Sequence, residues 1–270
     1  MYHFKIEKPQ LMAILNITPD SFFDGDVYFS PALAIARALE LEAQGADIID
    51  LGAQSTRPGA VPLPPEEELR RLLPVLEAVA RRVNVPLSVD TFYPEVAEQA
   101  LERGAAIVND VSGSVTAEMA QVMRRHGAGW VLMHSGGGAD AVNDYQPDVV
   151  TCVRQRLIDM TRQAMAFGLA EAQLCVDPGI GFGKSREDNL RLLANAQKIK
   201  PEGIALLVGA SRKRVTGENV PPSERLGGTI AAHVIAQLNG ADILRVHDVP
   251  QTRQAMNLTE LVIDFAQEKG

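Results

Sequence analysis

The chain has 270 residues, of which 46% are hydrophobic and 22% are charged, and this balance is typical of a folded globular protein. Its net charge of −8 argues against nucleic acid or an anionic membrane surface as a partner. No apolar segment approaches the roughly 20 residues of a membrane span, and residues 1–10 lack a signal-peptide pattern, so we expect a cytoplasmic protein. Two cysteines, Cys152 and Cys175, are too few for a disulfide scaffold or a thiolate zinc site, and we interpret both as small buried hydrophobic residues.

Short apolar segments alternate with longer segments of helical periodicity along the whole chain, which is typical of repeated β–α units around a parallel sheet. The predicted strands are residues 11–17, 47–52, 87–91, 106–111, 129–134, 174–177, 205–209 and 243–249. The predicted helices are residues 31–44, 65–83, 94–103, 149–167, 186–198 and 223–239. Glycines suited to helix ends are Gly45, Gly104, Gly127, Gly168 and Gly240.

Eight successive strand candidates predict an α/β fold, a (β/α)8 TIM barrel that forms a single domain over residues 1–270. An open, doubly wound sheet also alternates strands and helices. It is less favoured because no G-x-G-x-x-G motif follows the first strand and because eight units suit closure better than an open sheet.

Polar residues follow almost every predicted strand, at the end of the barrel where such enzymes hold their active sites. Alternation along the strands directs Asp90, Asn109 and Asp177 toward the barrel interior. Buried carboxylates need donors, which we expect from Lys213 and from a ligand with several N–H groups, such as a pterin or guanine-like ring. The alternative is that these residues only mark where the strands meet water.

A second group of residues suits an anion. Thr56 and Arg57 lie on a predicted tight turn after the second strand, and Arg245 and His247 share one face of the last strand. Together they could bind a diphosphate. A surface salt-bridge cluster is the alternative for Arg57 and Arg245.

A glycine-rich segment, residues 177–184 (DPGIGFGK), is a weaker signal. Its glycines would let the backbone approach a ligand closely or move as a flap. The spacing differs from that of a P-loop. His134, at the end of the fifth strand, stays undecided between a structural and a functional role.

Seven segments, one at nearly every strand end, resemble the signature segments of the dihydropteroate synthases, in family order over essentially the whole chain. They are residues 13–22 (AILNITPDSF), 55–60 (STRPGA), 88–91 (SVDT), 108–112 (VNDVS), 177–179 (DPG), 209–213 (GASRK) and 245–249 (RVHDV).

This resemblance implies the condensation of 6-hydroxymethyl-7,8-dihydropterin diphosphate with 4-aminobenzoate to 7,8-dihydropteroate and pyrophosphate, in a Mg²⁺-dependent and commonly homodimeric transferase. It assigns the ring to Asp90, Asn109, Asp177 and Lys213, of which Asp90, Asp177 and Lys213 would be catalytic. Asn16 would bind Mg²⁺ and diphosphate, and the phosphates would contact Thr56, Arg57, Arg245 and His247. The residues that would border the aminobenzoate are Phe22, Pro58, Phe182 and Ser211.

The chain departs from the family pattern at the rim of the expected site. Ala53-Gln54 replace the usual Gly-Glu pair, Phe92-Tyr93 follow the third strand, and His134-Ser135-Gly136 end the fifth. We expect aromatic bulk at Phe92 or Phe23 to alter the affinity for sulfonamides.

Two other functions stay open at this point. A methyltransferase that binds methyltetrahydrofolate would share Asp90 and Asn109 but would not need the segment Ser211-Arg212-Lys213 or the Arg57 turn. A pterin-binding homologue without turnover would result if the rim departures had silenced catalysis.

Overall fold

The computed structural model describes residues 1–4, 7–17, 23–24, 28–29, 31–54, 62–137 and 143–267. Within these ranges eight parallel strands form a closed barrel in which every strand pairs with its neighbours in sequence and the first pairs with the last. A separate antiparallel pair lies between the first two barrel strands. The strands are β1 (Gln10–Asn16), β2 (Phe23–Asp24), β3 (Tyr28–Phe29), β4 (Ile48–Gly52), β5 (Leu87–Asp90), β6 (Ile107–Asp110), β7 (Gly129–Met133), β8 (Leu174–Asp177), β9 (Ala205–Val208) and β10 (Ile243–Val246). The predicted TIM barrel is therefore confirmed, and the open sheet is excluded.

Helices follow the barrel strands in the expected alternation. They are α1 (Pro31–Ala43), α2 (Pro65–Ala80), α3 (Pro94–Glu102), α4 (Ala117–His126), α5 (Val149–Ala166), α6 (Arg186–Ala194), α7 (Ala196–Ile199), α8 (Leu226–Leu238) and α9 (Val249–Gln267). None of the described helices combines the length and apolar composition that a membrane crossing requires. The five glycines predicted at helix ends all have a positive φ, between 60° and 107°.

The structure departs from the predicted elements at two helices that were not predicted, α4 and α9, at the end of the last strand and within the predicted helix 186–198. The helix α4 was not predicted, although the Thr116 side chain caps it by accepting a hydrogen bond from the Met119 amide at 3.2 Å. The last strand ends at Val246, and residue 249 already begins α9. The predicted helix 186–198 is two helices, since Asn195, at φ −127° and ψ 27°, leaves the helical conformation between them.

Two layers of apolar side chains stabilise the fold, and the alternation along each strand separates them. Outward residues such as Leu51, Val89 and Trp130 belong to the large core between barrel and helices. Inward residues fill the cylinder itself: Met12, Ile48, Ile107, Val131, Cys175, Ala205, Leu207 and Ile243. The barrel interior is therefore packed and not a pore.

The N-terminal residues close the lower end of the barrel. The amides of Tyr2 and Phe4 donate hydrogen bonds to the carbonyls of Gly127 (2.7 Å) and Ala172 (2.8 Å), and both rings pack against the interior cluster. A side-chain carbon on Gly129 would lie 2.6 Å from the Tyr2 ring, so glycine at the start of β7 makes room for this closure.

The two cysteines differ in their surroundings. Cys175 is fully buried inside the barrel, as expected. Cys152 is only half-buried, and its thiol donates a hydrogen bond to the Gln146 carbonyl at 3.0 Å. The prediction of two buried hydrophobic cysteines is therefore confirmed for Cys175 alone.

Candidate active site

A layer of polar side chains lies at the C-terminal end of the barrel, one step above the apolar interior. Asp50, Asn109 and Asp177 each stand two residues beyond an interior residue, namely Ile48, Ile107 and Cys175. A spacing of two keeps a side chain on the same face of a strand, so these three also point inward. Each of these three polar side chains is at most 6% exposed.

Arg245 joins two carboxylates of this layer. Its Nε donates a hydrogen bond to Asp50 Oδ2 at 2.7 Å, and its Nη2 donates one to Asp90 Oδ2 at 2.8 Å. The Asn109 amide donates a further hydrogen bond to Asp50 Oδ2 at 3.2 Å. The predicted phosphate ligand Arg245 therefore lies directly beside the predicted ring ligands.

Asp50 was not among the predicted site residues. The segment 47–52 has the pattern of an apolar strand, in which Asp50 is the one carboxylate between apolar neighbours. The sequence did contain a signal for Asp50, because it lies two residues after Ile48 and two before Gly52 and therefore on the same, inward face of the strand. A fully buried aspartate between apolar neighbours needs a partner, which marks it as a candidate site residue.

Three buried oxygens in this layer accept no hydrogen bond from any described residue. They are Oδ1 of Asp50, Asp90 and Asn109. Asp90 and Asn109 are direct neighbours across β5 and β6. An unpaired buried acceptor costs free energy, and such groups are rare in folded proteins. The mouth of the barrel is therefore complementary to a ligand that brings several N–H donors.

Burial shifts the pKa values of the carboxyl groups in this layer. It raises the pKa of Asp90 to about 7, with Arg245 opposing the shift and the Asp50 carboxylate adding to it. Burial also raises the pKa of Asp177, although Lys213 and the hydrogen bond from the Gly179 amide (2.7 Å) act in the opposite direction. Both carboxyl groups would therefore gain from a cationic or N–H-donating ligand.

Lys213 completes the polar layer from the segment after β9. Its Nζ donates a hydrogen bond to the Ile180 carbonyl at 2.6 Å and lies 4.8 Å from the centre of the Phe182 ring. Burial lowers the pKa of Lys213 to about 8. The structure thus brings a predicted ring ligand, Lys213, and a predicted aminobenzoate contact, Phe182, into one contact.

The glycine-rich segment after β8 approaches its surroundings closely. Gly179, Gly181 and Gly183 have φ values of 66°, 83° and 64°, and an added side-chain carbon on Gly179 would lie 1.9 Å from the His134 carbonyl oxygen. The Gly181 amide donates to Asn189 Oδ1 at 2.7 Å. These glycines let the segment pack closely against its protein neighbours, and the two roles suggested by the sequence, close approach to a ligand and movement as a flap, stay predictions.

Ser211 and His247 meet at the ends of β9 and β10. Ser211 Oγ and His247 Nδ1 are 2.9 Å apart, and the His247 amide donates to the same hydroxyl at 3.2 Å. Arg212, at φ 58°, donates two hydrogen bonds to the Asp248 carboxylate, which fixes the turn that carries Ser211 and Lys213.

Asn16 lies at the end of β1, and its side-chain oxygen and that of Asp90 are both near Gly52. A side-chain carbon built on Gly52 would be 3.9 Å from Asn16 Oδ1 and 4.0 Å from Asp90 Oδ2, so the glycine leaves a small space between the two groups open. The remaining predicted contacts fall outside the described residues, and their positions stay predictions: Phe22, Thr56, Arg57 and Pro58.

The rim departure at Gln54 has a structural partner. The Gln54 amide donates a hydrogen bond to Glu68 Oε2 at 3.0 Å, and Glu68 of α2 is fully buried. Burial raises the pKa of Glu68 to about 7. A carboxylate at position 54 would face this group with like charge, whereas the amide supplies a donor. The burial of Glu68 was not predicted, because a third glutamate in the acidic first turn of a helix is normally exposed to solvent.

The other rim residues also have defined places. The Phe92 and Tyr93 rings lie 4.4 Å apart, and the Tyr93 hydroxyl donates to the Leu63 carbonyl at 3.0 Å. His134 is buried, which lowers its pKa to about 4, and its ring lies 6.0 Å from the Tyr145 ring. At neutral pH His134 is therefore an uncharged part of the wall.

Comparison with known proteins agrees with this arrangement. Residues 12–247 match the family described as "Pterin binding enzyme". A curated relative, dihydropteroate synthase of Escherichia coli strain K12, is 40% identical over 268 residues, which cover 98% of this chain and 95% of the relative. The chain belongs to the dihydropteroate synthase family.

Solved structures of this family have the same fold. Dihydropteroate synthase from Xanthomonas albilineans with 4-aminobenzoic acid is 41% identical, with a TM-score of 0.88, and the match covers 95% of this chain and 93% of that one. The same enzyme in complex with 7,8-dihydropteroate gives a TM-score of 0.85 at 38% identity, covering 95% and 94% of the two chains. The polar layer described above therefore occupies the C-terminal end of a barrel shared with proteins that bind an aminobenzoate and a pteroate.

Proposed function

We propose that the chain is a transferase that condenses 6-hydroxymethyl-7,8-dihydropterin diphosphate with 4-aminobenzoate, forming 7,8-dihydropteroate and releasing pyrophosphate. One observation carries the proposal: the three buried Oδ1 atoms of Asp50, Asp90 and Asn109 without a described donor. The amino group and ring N–H groups of a pterin are donors of the kind that these acceptors require. Lys213, beside them, would donate to the ring carbonyl.

The charges around the site suit a displacement with a loosely bonded transition state. Breaking the C–O bond leaves positive charge on the pterin methylene and negative charge on pyrophosphate. Asp90 and Asp177 favour the cation, and His247 and Arg245 favour the departing anion. The aminobenzoate amine is already neutral at pH 7, so it needs positioning and the exclusion of water more than a strong base.

Mg²⁺ is part of the proposal, with Asn16 as its ligand. Mg²⁺ prefers hard oxygen ligands and commonly takes only one or two from the protein, with substrate phosphates supplying others. The Asn16 amide oxygen, which lies near Gly52 at the end of β1, is a ligand of this type. The described residues hold no group of three or more His, Cys, Asp or Glu side chains suited to a metal, so they offer no closed metal site. When bound, Mg²⁺ would neutralise charge on the diphosphate.

Release of pyrophosphate, measured with dihydropterin diphosphate in the presence and absence of 4-aminobenzoate, tests this function. We expect release that depends on both substrates, and a loss of nearly all of it in Lys213→Ala. Lys198→Ala, the same change at an exposed position of α7, is the matched control and should retain full activity. Methyl transfer from methyltetrahydrofolate without pyrophosphate release would favour the methyltransferase, and ring binding without turnover would favour the non-catalytic homologue.

We also propose a homodimer formed through α8 and α9. These helices pack side by side and expose large apolar side chains, including Ile235, Leu238, Leu258 and Leu261, which are 44–66% exposed. Adjacent apolar residues on neighbouring helices mark an interaction surface more often than scattered ones do. Leu261→Glu should shift the sedimentation coefficient from dimer to monomer, whereas Leu33→Glu on α1 should not.

The cytoplasmic location expected from the sequence is likewise a proposal. Fractionation of cells that produce the chain would test it, with activity expected in the soluble fraction and its recovery in membranes counting against it.

A further inference from the structure

A second lysine, Lys184, lies behind the site and uses all its donors on backbone carbonyls. Its Nζ is 2.9 Å from the Phe182 oxygen, 3.0 Å from the Gly179 oxygen and 3.4 Å from the His134 oxygen. An ammonium group has three N–H donors, and three acceptors surround it here. The residue is 4% exposed, and its three acceptors are all backbone oxygens, so its amino group is bound by the protein itself.

Packing alone does not explain a charged group at this place. Burial lowers the pKa of Lys184 to about 7, and only Asp177 and Asp188 act against that shift. A methionine side chain of similar length would fill the space without this desolvation cost. What a methionine would lack is the set of hydrogen bonds to the loop.

The loop held by Lys184 is the one that carries the site. The carbonyls of Gly179 and Phe182 turn toward Lys184, whereas the carbonyl of Ile180, between them, turns toward Lys213 and accepts its hydrogen bond. Holding the first two carbonyls therefore fixes the direction of the third. The Phe182 ring, which Lys213 overlies, belongs to the same segment.

We propose that Lys184 is a positioning residue for substrate binding: through the carbonyls of Gly179 and Phe182 it holds the segment 179–183 in the shape that places Lys213 and Phe182 against the substrates. This inference rests on the proposed function for the identity of those substrates. Lys184 itself touches neither substrate.

A positioning role and a purely structural role differ in what they change. A residue that only stabilises the fold alters the fraction of folded enzyme, and it leaves the KM of the folded fraction unchanged. Loss of the carbonyl contacts would let the loop sample other shapes and would weaken the binding of the pterin ring and of the aminobenzoate. The affected quantities are therefore the KM values and the Kd for the ring.

Three variants test the proposal. Lys184→Met keeps the length and removes every donor, Lys184→Gln keeps a neutral N–H₂ donor, and Lys198→Met makes the first change at an exposed site. The Kd for 6-hydroxymethylpterin is measured by titration calorimetry, KM and kcat are measured for both substrates, and urea unfolding gives the stability of each variant. Since Lys184→Met removes every hydrogen bond from this side chain to the loop carbonyls, it should weaken ring binding by roughly ten- to a hundredfold. Lys184→Gln should fall between it and the wild type, and Lys198→Met should match the wild type.

Wild-type Kd and KM values in folded Lys184→Met would overturn the proposal, and so would equal effects of the Met and Gln substitutions. If Lys184→Met does not fold, Lys184→Gln decides alone, because it must still raise the Kd for the ring by several fold. Ring binding by the wild type is measured without turnover. A wild-type protein that binds the ring but releases no pyrophosphate would therefore count against the proposed function. The Kd values of the Lys184 variants for the ring would still decide whether Lys184 is a positioning residue.

Discussion

Replacing Asp90 by Asn should remove a loss of stability that the wild type undergoes as the pH rises toward neutral, while it weakens ligand binding. Asp90 lies almost fully buried beside Asp50, and burial raises its pKa to about 7. In the unfolded chain an aspartate titrates near its ordinary value of about 3.9. Between these two values the folded protein holds a proton that the unfolded chain has released, so folding becomes less favourable as the pH rises.

The size of the effect follows from this difference. Over the range in which only the folded state binds the proton, the free energy of unfolding falls by about 1.4 kcal/mol per pH unit. From pH 5 to pH 8, across the folded pKa of about 7, the wild type should therefore lose about 3 kcal/mol that Asp90→Asn does not lose. The same substitution removes a charged acceptor from the site and should weaken binding of a pterin ring by roughly ten- to a hundredfold.

Equilibrium unfolding in urea, followed by circular dichroism at pH 5 and pH 8, measures the first effect, and titration calorimetry measures the second. Asp159→Asn on α5, where the carboxylate is exposed, is the matched control and should differ from the wild type by the same small amount at both pH values. A stability difference between Asp90→Asn and the wild type that stays constant from pH 5 to pH 8 would refute the argument that Asp90 is destabilised by burial.

Four further substitutions, two of them compared as a pair, have defined outcomes. Gly179→Ala should lower the free energy of unfolding by about 2–4 kcal/mol, because its new carbon would lie 1.9 Å from the His134 oxygen at a residue with positive φ. Gly227→Ala, which has open space around it in α8, should raise the free energy of unfolding by up to about 1 kcal/mol. Urea unfolding of both variants measures the two changes. Arg245→Lys should reduce kcat/KM at least roughly tenfold, because one ammonium cannot reproduce the two-sided contact of the guanidinium with its carboxylates; unchanged kinetics would argue against that contact. Phe92→Ser should change the inhibition constant of a sulfonamide, and an unaltered constant would remove Phe92 from the rim of the drug site.

The barrel could be predicted from the sequence because local patterns decide it. Each strand is a short apolar segment whose position and alternation survive in the fold, although several are shorter than predicted, and the alternation alone directed Asp90, Asn109 and Asp177 inward. The helix boundaries could not be predicted in the same way, because a single residue such as Thr116 or Asn195 decides where a helix starts or stops. The apolar periodicity around such a residue does not mark that boundary.

The partners of the site residues could not be predicted in the same way. Arg245 contacts Asp50, 195 residues away in the chain, and only closure of the barrel brings them together. The role of Lys184 depends on the directions of three backbone carbonyls, which the positive φ values of the glycines set and which no side-chain pattern reveals. Sequence patterns thus located the residues of the mouth, and the closed fold determined which of them touch.

The closure of the lower end of the barrel by Tyr2 and Phe4 determines how a ligand can reach the polar layer. Because these rings cover the lower end and the described interior side chains fill the middle of the barrel, a ligand must approach from the C-terminal end. In the proposed reaction both substrates would therefore enter, and the product would leave, at this same C-terminal end.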